Sequence, residues 1–115
     1  MSVTISSNTL VLNEIKHIDG LIKNLLDAKV DEIIFLDGGS TDGTYEKLQE
    51  YEEEYEHIRA IRWKQPRNSE YKLGFRERDR RNLMMDLSTS DCILYIDADE
   101  RISIDFKEKI KSNSY

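Results

Sequence analysis

The chain has one cysteine, one proline, two histidines and five glycines. The single Cys92 excludes an internal disulfide and fits a reducing compartment. Opening an apolar run, it reads as a small buried hydrophobe. His17 and His57 show no metal-ligand spacing to each other or to the cysteine, which argues against zinc. No apolar stretch nears the ~20 residues of a membrane span. Residues 1–6 alternate like a strand and lack a charged leader region, so neither a transmembrane segment nor a signal peptide is expected, and the expected location is cytoplasmic. Phosphate-loop, dinucleotide and nucleophile-elbow glycine patterns are all missing. With 23 acidic against 17 basic side chains, a net charge of −6 gives no surplus for a polyanion track, and nucleic acid is not an expected partner.

What is present is unevenly placed. Glu46, Glu50, Glu52, Glu53, Glu54 and Glu56 crowd one stretch, whereas residues 59–81 carry nine Arg and Lys against three acids. A basic segment in an acidic chain suggests a local anionic ligand. At 115 residues the chain is one domain, 1–115.

Hydrophobic spacing supplies the elements. An apolar N-terminal run ends at Leu12 before Asn13-Glu14. Ile15, Ile18, Leu21, Ile22, Leu25 and Leu26 then recur at helical steps, with Asn13 as the expected N-cap. Ile33–Leu36 reads as a second strand. A helix capped by Thr41 or Asp42 follows, with Tyr45, Leu48, Tyr51 or Glu52, and Tyr55 inward. Residues 58–63 form a third strand, 64–73 a loop, and Phe75, Leu83, Met84 and Leu87 a third helix. Residues 92–96 make a fourth strand, and Ile104, Phe106 and Ile110 mark a closing amphipathic piece. This alternation predicts an α/β fold: a mainly parallel sheet of about four strands with helices on both faces, in three layers.

Ligands of such sheets bind beyond the carboxyl ends of the strands, where the strand order reverses. Three polar clusters fall at such ends: Asn13-Glu14, Asp37-Gly38-Gly39 and Asp97-Ala98-Asp99. Strand ends often carry turn-forming aspartates, so a lone D-x-D is weak. Shared with two other clusters, it becomes a candidate for a hard cation, Mg²⁺ or Mn²⁺, held by Asp97 and Asp99. Arg81 is the choice among the basic residues for gripping a diphosphate, because it precedes the apolar Leu83-Met84 face.

Four motifs together resemble the nucleotide-binding half of family 2 glycosyltransferases, which have the GT-A fold. They are Leu12-Asn13-Glu14, the Asp37–Thr44 turn DGGSTDGT, Arg81-Asn82, and Asp97-Ala98-Asp99 with Glu100-Arg101 behind it. The resemblance implies a nucleoside-diphosphate sugar as ligand, contacted by Leu12, Asn13, Glu14, Asp37, Gly38, Gly39, Arg81, Asp97 and Ala98. It implies a divalent metal on Asp99, with Asp97 near metal or ribose. Gly38 stands where many members carry a second acid, and Leu12 where many carry an aromatic. In the family the acceptor site and the catalytic base follow the D-x-D portion, so the base is expected beyond Tyr115. Asp105 and Glu108 are poor substitutes for it. The implied reaction is inverting transfer to an unknown acceptor; the alternative is a non-catalytic nucleotide-binding or interaction module. A sheet cut short in this way would expose apolar surface, which self-association would cover.

Overall fold

A computed structural model describes residues 4–62 and 90–112. Strands β1 (Ile5–Val11), β2 (Glu32–Asp37), β3 (Ile58–Arg62) and β4 (Cys92–Tyr95) form one parallel sheet in the order β3-β2-β1-β4. Helices α1 (Ile15–Asp27) and α2 (Thr44–Glu54) make the first two crossovers, and a short helix, α3 (Phe106–Ser112), closes the described chain. The parallel α/β fold expected from the alternation is therefore present. The expected helix around 75–87, the loop 64–73 and Trp63 lie outside the described residues, as does Arg81.

Ile18, Leu21, Ile22 and Leu25 of α1 are all buried against the sheet. At about 1.5–3 kcal/mol per side chain, this stripe contributes on the order of 6–12 kcal/mol of gross burial. It meets Ile5 and Val11 of β1, Ile33 and Phe35 of β2, Ile58 and Ala60 of β3, and Leu48 of α2. Ile34 and Leu36 point to the other face, with Leu10 and Ile61 packed on them. α2 is tied to α1 through Tyr51, whose hydroxyl donates to Asp19 at 2.6 Å. Burial, then the Asp19 carboxylate, push this phenol up to about 12.

Five expectations need correction. Central strands of such sheets are usually apolar throughout, yet Ser6, Ser7, Asn8 and Thr9 in the middle of β1 are all buried. The hydroxyls of Ser7 and Thr9 have no hydrogen-bond partner among the described residues. They lie on the α1 side, where a small side chain leaves room for the helix stripe at a cost of roughly 1–3 kcal/mol per unpaired group. Asn13 is not the N-cap of α1. That position is Glu14, which makes no side-chain cap bond, and Asn13 sits one residue earlier in left-handed backbone at φ 54°. The N-cap of α2 is Gly43, although Asp42 Oδ1 does accept from Thr44 N at 3.0 Å. Ile104 is 68% exposed and precedes α3 instead of lining it, and Cys92 is half-buried against the core.

After β4 the chain runs back along α1. Asn24 Oδ1 accepts from Ile102 N at 2.8 Å, while Asn24 Nδ2 donates to Ile102 O at 2.9 Å. Ile102 and Phe106 pack on the core. Lys107 Nζ reaches both oxygens of Asp31, at 2.9 and 2.8 Å, and Asp31 Oδ2 also accepts from Ile5 N. Burial pushes the Asp31 carboxyl up, but the Lys107 hydrogen bond, the Ile5 amide and the Lys107 charge outweigh it and hold it below its ordinary 3.8. A lowered carboxyl stabilises the fold above its unfolded value, and that contribution fades as pH falls through the folded one. Urea melts from pH 7 down to 2.5 are thus expected to show a constant deficit for Asp31→Asn above about pH 5. The deficit should shrink below 3.8; a gap unchanged at pH 2.5 would refute the pair. Among the described residues, no helix is long and apolar enough to cross a membrane.

Candidate functional site

The order β3-β2-β1-β4 reverses between β1 and β4, so the crevice beyond their carboxyl ends is the switch point of the sheet. Leu12-Asn13-Glu14 leaves β1 there, Asp37-Gly38-Gly39 leaves β2, and Asp97-Ala98-Asp99 follows β4. The three expected clusters therefore share one edge. Strands lie about 4.8 Å apart, which puts β2 and β4 about 10 Å apart on either side of β1. The register sets Asp37 opposite Val11 and Tyr95 opposite Asn8, so β4 stops three residues short of β2 and the chain reaches Asp97 after it.

Asp37 is fully buried. Its Oδ1 accepts from Gly39 N and Ser40 N, both at 2.8 Å, folding the chain tightly after β2. Gly39 adopts φ 110°, a backbone conformation that side chains other than glycine rarely take. Arg62, the last residue of β3, brings Nε to 3.6 Å from Oδ1 and donates from Nη2 to Ser40 O at 2.7 Å. Its guanidinium lies over the Tyr45 ring, 4.9 Å from the centroid. Asp37 Oδ2 has no hydrogen-bond partner among the described residues. A buried acceptor left unpaired is costly unless a ligand donates to it.

Asn13 fastens the end of β1 to the same turn. Its amide donates to Ser40 Oγ at 2.8 Å, and its Oδ1 accepts from Thr41 N at 2.7 Å. The Glu14 amide donates to Thr44 Oγ1 at 2.9 Å. Asn13 thus uses its side chain to hold the DGGSTDGT turn, and Leu12 beside it is 50% exposed. Gly38 N donates to Val11 O at 2.9 Å, extending the β1–β2 ladder by one bond into the turn. The sequence reading missed Ser40, Thr44 and Arg62. Only the position of Arg62, directly behind the apolar run of β3, hinted at its role.

Beyond β4, Ala98 is buried while Asp97 and Asp99 are exposed. The turn is closed by Glu100 N donating to Asp97 O at 3.0 Å and by Asp97 N donating to Glu100 Oε1 at 2.9 Å. Neither Asp97 nor Asp99 spends its carboxyl on a partner among the described residues. Two free hard-oxygen donors fit Mg²⁺ or Mn²⁺, which keep positions for water and phosphate oxygens. No group of three His, Cys, Asp or Glu poised for a metal occurs among the described residues.

A parallel α/β sheet with acids gathered at its switch point has the layout in which open α/β folds take their ligands. The chain belongs to glycosyltransferase family 2, whose family model matches residues 9–112. No curated protein matches it. Among solved structures it is similar to TarS 1-349 of S. aureus in complex with UDP, with a TM-score of 0.71 at 19% identity over 95% of this chain and 31% of that one. It is also similar to the mannosyltransferase PcManGT from Pyrobaculum calidifontis in complex with GDP-Man and Mn²⁺. There the TM-score is 0.62 at 18% identity, over 86% of this chain and 28% of that one. At these identities the likeness carries the fold, which is that of GT-A glycosyltransferases. The chain spans about three tenths of the length of these structures.

Proposed function

We propose that this chain is the donor-binding portion of an inverting glycosyltransferase that takes a nucleoside-diphosphate sugar together with Mg²⁺ or Mn²⁺. One observation carries the reading. Asp37 and the Asp97–Asp99 turn stand at one strand edge, on either side of β1, with one buried oxygen of Asp37 and the carboxyls of Asp97 and Asp99 uncommitted among the described residues. UDP bound to TarS, and GDP-Man with Mn²⁺ bound to PcManGT, give the same ligand class on the same fold.

In this reading Asp37 Oδ2 accepts from a donor on the nucleoside, either a ribose hydroxyl or a base N–H. Leu12 offers exposed apolar surface to the base. Asn13, Glu14, Gly38 and Gly39 form the wall between the first two strand ends, Ala98 anchors the acidic turn, and Arg81 is assigned to the diphosphate. Asp99, with Asp97, holds the cation. The cation supplies a Lewis acid that neutralises charge on the departing diphosphate. Acceptor binding and the general base are not assigned to the described residues. Self-association through uncovered apolar surface belongs to the same proposal.

Thermal melts with UDP, GDP, CDP and dTDP, each with and without Mn²⁺, test it. A cognate nucleotide at 100 times its dissociation constant is expected to stabilise the chain by about 2.7 kcal/mol. Asp99→Ala should remove the Mn²⁺-dependent part. A chain that no nucleotide stabilises, or an Asp99→Ala variant with an undiminished shift, would sink the assignment.

A further inference from the structure

Gly20 lies inside α1, where glycine is less favourable than alanine. Arg101 gives the reason. A Cβ built on Gly20 would stand 2.7 Å from Arg101 Nη2, 3.6 Å from Cζ and 3.7 Å from Nε, so the guanidinium lies directly against the bare helix backbone. From there Nη1 donates to Ala98 O at 2.8 Å and to Glu100 O at 2.6 Å, and Nη2 donates to His17 O at 3.4 Å. One planar cation thus joins the middle of the Asp97-Ala98-Asp99 turn to a carbonyl of α1.

The geometry points to Gly20 and Arg101 as a pair of positioning residues that fix the acidic turn for cation binding. The inference rests on the proposed role of Asp97 and Asp99 as cation ligands. The carboxyls of Asp97 and Asp99 are exposed and have no protein partners among the described residues, so their directions follow from the backbone that carries them. That backbone is held by its Asp97–Glu100 bonds and by Arg101. A lysine would keep the charge but lose the fork that reaches three carbonyls at once.

The prediction separates metal affinity from stability. With Arg101 uninvolved, Gly20→Ala would simply favour the helix, raising Tm and leaving the acidic turn untouched. With the lock in place, the new methyl displaces the guanidinium, and Mn²⁺ affinity in the presence of UDP falls by about tenfold, as expected when a support behind metal ligands is lost. Arg101→Ala should weaken Mn²⁺ to a similar degree. Adding Gly20→Ala to Arg101→Ala should raise Tm with no further loss of affinity.

Mn²⁺ titrations in the presence of UDP, followed by electron paramagnetic resonance, would be run on the native chain, both single variants and the double variant. Amide exchange at Glu100, whose N–H closes the turn, gives a readout independent of metal and should quicken in both singles. Native-like affinity in Gly20→Ala or Arg101→Ala overturns the lock, as does an additive second loss in the double variant. An Asp99→Ala control that keeps native Mn²⁺ affinity overturns the cation-site reading underneath it instead.

Discussion

Arg62→Ala is expected to destabilise the fold by about 3 kcal/mol, at the lower end of the cost of breaking a buried ion pair. Asp37 is 0% exposed and Arg62 is 32% exposed, so the pair is buried on the carboxylate side; among the described residues Arg62 is the cation beside it, with Nε 3.6 Å from Oδ1. The amides of Gly39 and Ser40 stay on Oδ1 in the variant, which moderates the loss. The Ser40 carbonyl loses its 2.7 Å donor at the same time. Domains of this kind have a total stability of roughly 5–15 kcal/mol, so the loss is a large fraction of the whole. Arg62→Lys should fall between, since one ammonium cannot serve Asp37, Ser40 and the Tyr45 ring together. Adding Asp37→Asn to Arg62→Ala should recover part of the loss, and a double-mutant cycle in urea isolates the coupling. A cost below 1 kcal/mol for Arg62→Ala would reduce the contact to an ordinary surface pair.

The second large effect is at Asn24. Its side chain meets both the N–H and the C=O of Ile102, doing for that residue what a neighbouring strand would do. Asn24→Leu keeps the size but leaves both groups unpaired against an apolar atom set, at about 2–4 kcal/mol for the two. Because Ile102 and Phe106 pack on the core beside this clamp, the segment is expected to open locally before the sheet melts. Hydrogen exchange should therefore accelerate at Ile102 and Phe106 ahead of Phe35, and Asn24→Asp, which keeps the acceptor alone, should retain part of the protection. Equal protection in Asn24→Leu and the native chain would refute the clamp.

Local pattern carried the elements and the shared edge. The run Ile33–Leu36 could only be a covered strand, and the three- and four-residue steps of α1 recur as its buried face. Placing three polar clusters at strand ends required nothing beyond the order of elements, and all three stand at the carboxyl edge of the parallel sheet. The ties between clusters were not legible. Asn13 joins Ser40 and Thr41 across 27 and 28 positions, and Arg101 joins His17 across 84. No helical or strand period encodes such partners. Arg62 was hidden for another reason: it lies in a basic stretch in which a paired arginine looks like a solvated one. The hydroxyls of β1 were obscured because Ser and Thr ordinarily signal exposure, whereas here small size next to the α1 stripe outweighs polarity.

The return of the chain along α1 has a mechanical consequence. Its fastenings come in series: Lys107 on Asp31, then Ile102 on Asn24, then Arg101 on His17, and only then the acidic turn. Tension applied at the C-terminal helix must release each in that order before it reaches Asp97 and Asp99. The acidic turn is thereby insulated from movement at that end.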